Sequence, residues 1–564
     1  MGVICRKRKY ASSSSLEDFD PITGACSVEK FAASKDAFRV APTLKLPIPM
    51  PYDSKRCSAK VRDITEVLFD SIIEAAGTFG ISCQTIEVHH MWQRGFPQTA
   101  GDTIILSTLD VIATRWEAAA NYILGMVEEA VVDIEFRIEI RNPDLMYSDI
   151  SMPIRDREVC KVLTEIAPPF EAEVERSCPS LWTSIACHSR RRYDAYEDPG
   201  NATIVLFIEP KSVSLWGLIE ERLREVMESV QSAREFNISL EILPGFNIPA
   251  VTPSEEMLEE SARYQGRVPA SPANGASIGP RVSTTRSGSI GPVVYFKAHD
   301  KAEPQKGILT CHHVISSGDP QGRRDNDRLG IGLNGSKVNR RIDIDWPSRQ
   351  DIDYTKKRLD EDILKGKDKN GELASMRTSV TSRFTPTTSI GHVAFSSGMR
   401  LNDSKTRMDW ALIILTSPGP GDAIENVLPL RSAFGDEFEV PGFENYKVGP
   451  GHKVSDIHEL MPGSWVAKKG RTTGITVGEV GEKKRVVHWK NGMKSMEFEA
   501  FTYATGIKQF AEPGDSGSMA FDLQGAWVGM VIGMDSLKEC GYVTSAGELI
   551  ADIEAKTKGK ITLG

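Results

Sequence analysis

The 564-residue sequence predicts a multidomain chain, with an N-terminal α/β region containing an internal duplication and a C-terminal all-β sandwich or barrel. Three observations predict it. Between about Val61 and Phe246, strand-like and helix-like runs recur in one order at an offset of 100 residues. Between about Pro249 and Ser289 the composition turns to Pro, Ser, Gly and Ala, and beyond it short β-rich runs bounded by Gly and Pro continue to the end.

The length implies two or three separately buried cores. With 40% hydrophobic and 26% charged residues the composition is that of a globular protein, and a net charge of −9 gives no field to gather nucleic acid, so none is expected as a partner. No apolar run reaches the roughly 18 residues of a membrane span, and the start, Met1 to Lys9, lacks the apolar stretch of a secretory signal. The expectation is a soluble, cytoplasmic protein with no membrane attachment. Gly2 and Cys5 beside Arg6–Lys9 suggest lipidation, but the myristoylation pattern wants Ser or Thr where Arg6 stands; nuclear import and a plain solvated tail are the other readings of that basic run. Nine cysteines, an odd number without CxxC pairs, predict reduced thiols and neither a disulfide framework nor a zinc site.

Residues 1–60, without apolar periodicity, read as a mobile leader. The first α/β unit, 61–150, has a helix near Asp63–Gly77, the buried strand Thr103–Leu106, an amphipathic helix from Trp116 to Ala130 and an alternating strand from Ile134 to Ile140. The second, 151–248, repeats this with a helix near Arg157–Arg176, the strand Thr203–Leu206, a helix from Trp216 to Val230 and the strand Ile238–Ile242. Thr103, Ile104, Leu106 and Trp116 return as Thr203, Ile204, Leu206 and Trp216, so the repeating unit is α-β-β-α-β. No active site assembles here. Adjacent His89 and His90 face opposite sides of a strand, with no third metal ligand in register, and Ser189-Arg190-Arg191-Arg192-Tyr193 reads either as an anion- or acid-binding loop or as a solvated basic loop and stays unassigned. This module is expected to serve recognition or regulation, taking a protein partner or a ligand. A linker follows at 249–286, and the β-rich domain, 287–564, carries a charged, partly helical insertion at about 343–383 and closes on a helix at about Ala546–Lys556. That insertion reads as a solvated surface feature, with a cleft cover or a partner site as the other readings.

Three contexts in this last domain carry chemistry. Gly307-Ile308-Leu309-Thr310-Cys311-His312-His313-Val314 runs a strand into a histidine, Asp409-Trp410-Ala411-Leu412 opens an apolar strand, and Gly514-Asp515-Ser516-Gly517-Ser518 precedes the apolar strand Trp527–Gly533. In this order they resemble the L-T-x-x-H-V, D-x-A-L and G-D-S-G signatures of the chymotrypsin-like (trypsin-like) serine proteases. Lys468-Lys469-Gly470-Arg471-Thr472-Thr473-Gly474 is similar to a segment of their microbial branch. The resemblance covers about half the chain and implies a double β-barrel.

It further implies that His313 is the general base, Asp409 its orienting carboxylate and Ser516 the nucleophile, with the N–H groups of Gly514 and Ser516 as oxyanion hole. His312 and His313 cannot both face the triad; the family spacing favours His313, and Cys311 is expected as a packed thiol. Asp515, buried in the family, needs a cation, for which Lys468 or Arg471 is the expectation in place of a freed amino terminus. The primary pocket is expected near Phe510 and Ala511, walled by Ile532, Gly533 and Met534, with no acid at its base and a preference for small or apolar side chains. Glu512 stands near enough to qualify that preference. The function expected is serine endopeptidase activity on polypeptides, through an acyl-enzyme and without cofactor or metal. A catalytically quiet scaffold on the same barrel is the alternative, and a general esterase a third reading.

Overall fold

A computed structural model of the protein describes residues 23–564 except 44, 51, 95–96, 132, 148–149, 192–199, 250–270, 334–339, 385–388, 435–444, 447, 503–508 and 538. Two compact units emerge, one up to Phe246 and one from Asn247 onward.

The leader expected over 1–60 is corrected from residue 23 on, because this stretch makes tertiary contacts. Helix α1 (Val28–Ser34), capped by the Ser27 hydroxyl, buries Val28 and Phe31. Before it, Cys26–Ser27 pairs antiparallel with Val213–Ser214, and the Trp216 indole N–H donates to the Cys26 carbonyl at 2.9 Å. After it, Arg39–Val40 pairs antiparallel with Ile140–Arg141, and the Arg39 guanidinium grips the Glu139 carboxylate at 2.8 and 2.9 Å, both groups buried. Single anchors, each meeting a distant partner, leave no periodicity to read. Residues 1–22, with the basic run at the start, lie outside the described residues.

The two copies of the repeat fold alike. The first consists of α2 (Ala59–Thr78), β1 (Cys83–Gln93), β2 (Gly101–Thr108), α3 (Trp116–Ala130) and β3 (Phe136–Arg141); the second of α4 (Arg157–Ser177), β4 (Trp182–Arg191), β5 (Asn201–Ile208), α5 (Trp216–Ser229) and β6 (Ser239–Pro244). In each, the first two strands are antiparallel and the last two parallel, joined by the intervening helix. Even the registers match: Ile104 faces Ile138 and Leu106 faces Ile140, as Ile204 faces Leu240 and Leu206 faces Ile242. Both hairpins shift register at the same point, between Cys83 and Thr85 and between Trp182 and Ser184. Trp116, Ala119, Ile123 and Val127 form the buried stripe of α3, and Trp216, Ile219, Leu223 and Met227 that of α5, the same helical spacing. Among the described residues no helix is long and apolar enough to cross a membrane.

The second unit is the double β-barrel. Its first sheet uses β7 (Ser277–Pro280), β8 (Val293–Lys297), β9 (Gln305–Thr310), β10 (Asp343–Asp345), β11 (Ser389–Ser396), β12 (Ala411–Leu415) and a C-terminal strand, Lys560–Leu563. The order is β7-β10-β11-β12-β9-β8 and then that last strand, a curled half-barrel. The second barrel is built from β13 (Trp465–Gly470), β14 (Gly474–Val480), β15 (Lys494–Thr502), β16 (Met519–Phe521), β17 (Trp527–Asp535) and β18 (Cys540–Ser545). It closes as a ring, β13-β14-β15-β18-β17-β16 and back to β13.

Two boundaries move. The linker expected over 249–286 contributes β7, buried from Ser277 to Pro280, which pairs with Gly288–Ser289 through its first two residues and with β10 through its last two, while 250–270 lie outside the described residues. The insertion expected at 343–383 begins with barrel strand β10 and is otherwise a helical hairpin, α6 (Arg349–Leu364) and α7 (Glu372–Phe384).

Candidate active site

Strand β9 delivers His313 on the single helical turn His312–Ile315, Asp409 sits two residues before β12, and Ser516 lies in the loop that enters β16. Because β9 and β12 are antiparallel neighbours, with Thr310 opposite Ala411, residues just past the end of one meet residues just before the start of the other. The structure brings the three together. His313 Nδ1 is 2.7 Å from Asp409 Oδ2, the His313 backbone N–H donates to Asp409 Oδ1 at 3.0 Å, and His313 Nε2 is 2.8 Å from Ser516 Oγ. An ionised Asp409 accepts the Nδ1 hydrogen, leaving the Nε2 lone pair aimed at the serine hydroxyl. His312 points elsewhere, Nδ1 2.9 Å from Ser396 Oγ and Nε2 2.9 Å from Asp327 Oδ1.

Burial and charge set the protonation of this chain. Burial pulls the His313 imidazole below its usual range; the Asp409 carboxylate opposes it, and the Arg407 and Arg286 guanidinium groups add to it. Burial would raise the Asp409 carboxyl, but His313 and Arg407 hold it well below the ordinary range. Arg407 donates directly to Asp409 Oδ2 and is itself buried, its guanidinium 4.0 Å from the Trp489 ring centre. Cys311 is buried beside the triad, its Sγ 3.3 Å from the Val531 carbonyl; burial, then the Asp409 charge, pushes its thiol far up and leaves it uncharged. The ligand-capable atoms of Cys311, His313 and Asp409 lie within 4.8 Å of one another, but those of His313 and Asp409 are engaged in the hydrogen bonds above.

The nucleophile loop depends on two left-handed glycines, Gly514 at φ 104° and Gly517 at φ 91°. A Cβ at Gly514 would come within 2.3 Å of Arg471 Nη1 and Thr472 Oγ1, and one at Gly517 within 2.3 Å of Thr310 Oγ1. The N–H groups of Asp515, Gly517 and Ser518 donate to Glu512, Val531 and Asp515 carbonyls. Among the described residues, those of Gly514 and Ser516 have no protein acceptor, the state an oxyanion hole requires.

Asp515 is buried and saturated. Its carboxylate receives Lys468 Nζ at 2.8 Å, Thr472 N–H at 2.8 Å, Glu512 N–H at 3.0 Å and the Thr473 hydroxyl at 2.8 Å. Burial raises this carboxyl, but Lys468 and the N–H donors outweigh it and leave it below the usual range. Of the two expected cations, then, Lys468 meets Asp515. Arg471 instead makes a two-pronged ion pair with Asp351 in the first turn of α6, Nε to Oδ2 at 2.6 Å, both side chains buried. The insertion is therefore anchored by a buried ion pair to the turn that follows β13, which corrects its reading as a solvated surface feature.

Of the pocket residues, Phe510, Ala511, Ile532, Gly533 and Met534 are all buried. The Phe510 ring packs where Cβ atoms on Gly478 and Gly541 would stand, each 2.8 Å from it. His89 and Ser189–Arg191 of the first unit lie on strands β1 and β4; Arg192 and Tyr193 fall outside the described residues. Sequence reasoning missed Arg407 and Asp351. A signal existed for Arg407, since in Arg407-Met408-Asp409 the outer two residues share a strand face. None existed for Asp351, 120 residues from its partner.

A closed barrel beside a curled half-barrel makes this a chymotrypsin-like double-β-barrel fold. Solved structures similar to the chain include Thermobifida fusca Protease A (14% identity, TM-score 0.27, covering 52% of this chain and 100% of that one) and Nocardiopsis Protease (13%, 0.25, 52% and 99%). Cellulomonas bogoriensis chymotrypsin is another (14%, 0.25, 52% and 98%). These neighbours are chymotrypsin-like serine proteases. No protein-family model and no curated protein matches the sequence.

Proposed function

We propose that the second unit is a serine endopeptidase, a reading carried by the hydrogen-bonded chain Asp409–His313–Ser516. Ser516 Oγ attacks a peptide carbonyl while its proton passes to His313 Nε2; Asp409 keeps the imidazole in the required tautomer and stabilises the imidazolium. The oxygen of the tetrahedral intermediate takes hydrogen bonds from the N–H groups of Gly514 and Ser516, each worth roughly 3–4 kcal/mol in comparable sites. His313 then protonates the leaving amine, and water hydrolyses the acyl-enzyme. The buried apolar residues Phe510, Ala511, Ile532 and Met534, with no acid among them, favour small or apolar side chains in the substrate. The duplicated unit serves recognition of a protein partner or ligand, and the free buried thiols of Cys311 and Cys540 suit a reducing, cytoplasmic setting. A quiet scaffold would have no use for unpartnered Gly514 and Ser516 amides beside a relayed hydroxyl. A fluorophosphonate probe should label the protein and fail on Ser516→Ala; no labelling of the wild type, with no peptide hydrolysis, would favour the scaffold, and ester turnover without peptide turnover the general esterase.

A further inference from the structure

The Gly514 and Ser516 amides belong to trans peptide units, in which the N–H and the carbonyl point to opposite sides. Whatever holds the carbonyl of such a unit therefore aims its N–H. For Ser516 that carbonyl is the one of Asp515, which accepts the Ser518 backbone N–H at 3.0 Å and the Ser518 hydroxyl. For Gly514 it is the one of Pro513, which accepts the Thr472 hydroxyl at 2.7 Å. The second unit has the greater need of a hold, because Gly514, at φ 104°, has no side chain to restrict it.

The hold on Pro513 is directional. Thr472 Oγ1 accepts Arg471 Nη1 at 3.1 Å, and since a guanidinium only donates, the single hydroxyl hydrogen of Thr472 is left for the Pro513 carbonyl. Arg471 is held in turn by Asp351, Nε to Oδ2 at 2.6 Å with Nη2 on the other oxygen, a planar fork that fixes where Nη1 points. The Arg471 backbone reaches the other side of Gly514 as well, its N–H donating at 3.0 Å to Ser289 Oγ, which donates at 3.1 Å to the Gly514 carbonyl. Asp351 is itself fixed, because its N–H donates at 3.2 Å to the Ser348 hydroxyl that caps α6, and Ser348 Oγ lies 2.9 Å from Ser277 Oγ on β7. Asp351, Ser289 and Ser348 are wholly buried, and Arg471 and Thr472 nearly so, which shields these bonds from water.

Resting on the protease reading above, we infer that Asp351 is a positioning residue for the oxyanion hole, acting through Arg471 and Thr472 on the Pro513 carbonyl so as to aim the Gly514 N–H. Helix α6 of the insertion then supplies the carboxylate without which the Thr472 hydroxyl has no fixed direction. Asp351 touches neither the triad nor the hole. Its loss should leave the Asp409–His313–Ser516 chain in place, since no bond of that chain passes through Arg471. It should release the Pro513–Gly514 peptide, whose turned-over form puts a carbonyl where the substrate oxygen has to sit.

The test is the rate of fluorophosphonate labelling of Ser516 in the full-length protein, measured across pH, beside thermal unfolding. Thr472→Val removes the hydroxyl and no charge; it should slow labelling by roughly tenfold or more, toward the roughly 100- to 1,000-fold cost of losing one donor. Thr472→Ser, which keeps the hydroxyl, should label like the wild type. In Thr472→Val the acid limb set by His313 should stay in place while the plateau falls. Asp351→Leu should slow labelling and lower the melting temperature, because it strands Arg471. Asp351→Leu with Arg471→Met removes both charges, and should recover the melting temperature while labelling stays slow. Recovery of labelling together with stability would make Asp351 a structural residue and overturn the inference. A Thr472→Val protein labelled at the wild-type rate overturns it too, as does a shifted acid limb, which puts the defect at His313; all three leave the protease standing. A wild type that is never labelled overturns the protease reading and this inference with it.

Discussion

Arg407 places a second positive charge on a carboxylate already bonded to His313, and so competes with the imidazolium for it. Burial and this guanidinium keep His313 neutral below its usual range, so an activity that needs the free base should hold to pH values under about 6.5. Replacing Arg407 by Gln removes a like charge, and the acid limb of the pH–rate profile should move to higher pH by the order of one unit. An unmoved limb with a lower plateau would reduce Arg407 to a packing role. Glu497, whose side chain accepts the Arg407 backbone N–H at 3.1 Å, carries the opposite signature, since burial pushes its carboxyl up to about 7 from 4.5. A raised acid favours the folded state while protonated, so its contribution is complete below 4.5 and lost as pH rises through 7. Thermal stability of the wild type should therefore fall relative to Glu497→Gln between those values, by at most roughly 3 kcal/mol. At this scale the sequence showed His313, Asp409 and Ser516 because each adjoins an apolar strand of its own. It hid the charges around them, because those arrive from strands that only the fold brings near.

Elements decide which cation serves which acid. Strand β13 carries Lys468 to Asp515, and the start of α6 carries Asp351 to Arg471, so two neighbouring cations take two different carboxylates. Removing one partner of such a buried pair strands the other, at about 3–5 kcal/mol. Lys468→Met should accordingly cost stability of that order and suppress fluorophosphonate labelling even at temperatures where circular dichroism reports folded protein, because Asp515 adjoins the nucleophile. Retained labelling would show that the Thr472 and Glu512 amides hold Asp515 by themselves. The Gly470–Gly474 motif was legible and placed its basic residues near Asp515, but the choice between Lys468 and Arg471 was not, since it turns on a helix inserted 120 residues earlier. The helices of that insertion were foreseeable from its charge pattern. Its buried anchor was not, because Asp351 in sequence is one acid among many.

Over the whole molecule, duplication explains why the first unit was readable in outline, with two copies giving each apolar run a second witness in Trp116 and Trp216 and in the matched registers of β3 and β6. The segment from Cys26 to Val40 belongs to neither copy but bonds to both, through Cys26 to the second and Arg39 to the first. Arg39 has its counterpart in Arg190, whose guanidinium meets Glu241 at 3.0 Å as Arg39 meets Glu139 at 2.8 Å. The acids are repeat-related, while the first arginine comes from outside the repeat. Glu139 is almost wholly buried, so Arg39→Met should destabilise the first unit by about 3–5 kcal/mol. Arg39→Met with Glu139→Met, which removes both charges, should recover most of that loss. Calorimetry of the full chain should show the transition of the first unit lowered in the single variant and largely restored in the double one, with labelling of Ser516 unchanged in both. Equal destabilisation of single and double variants would mean that Arg39 acts by packing, and that charge pairing is not what ties the segment to the first copy.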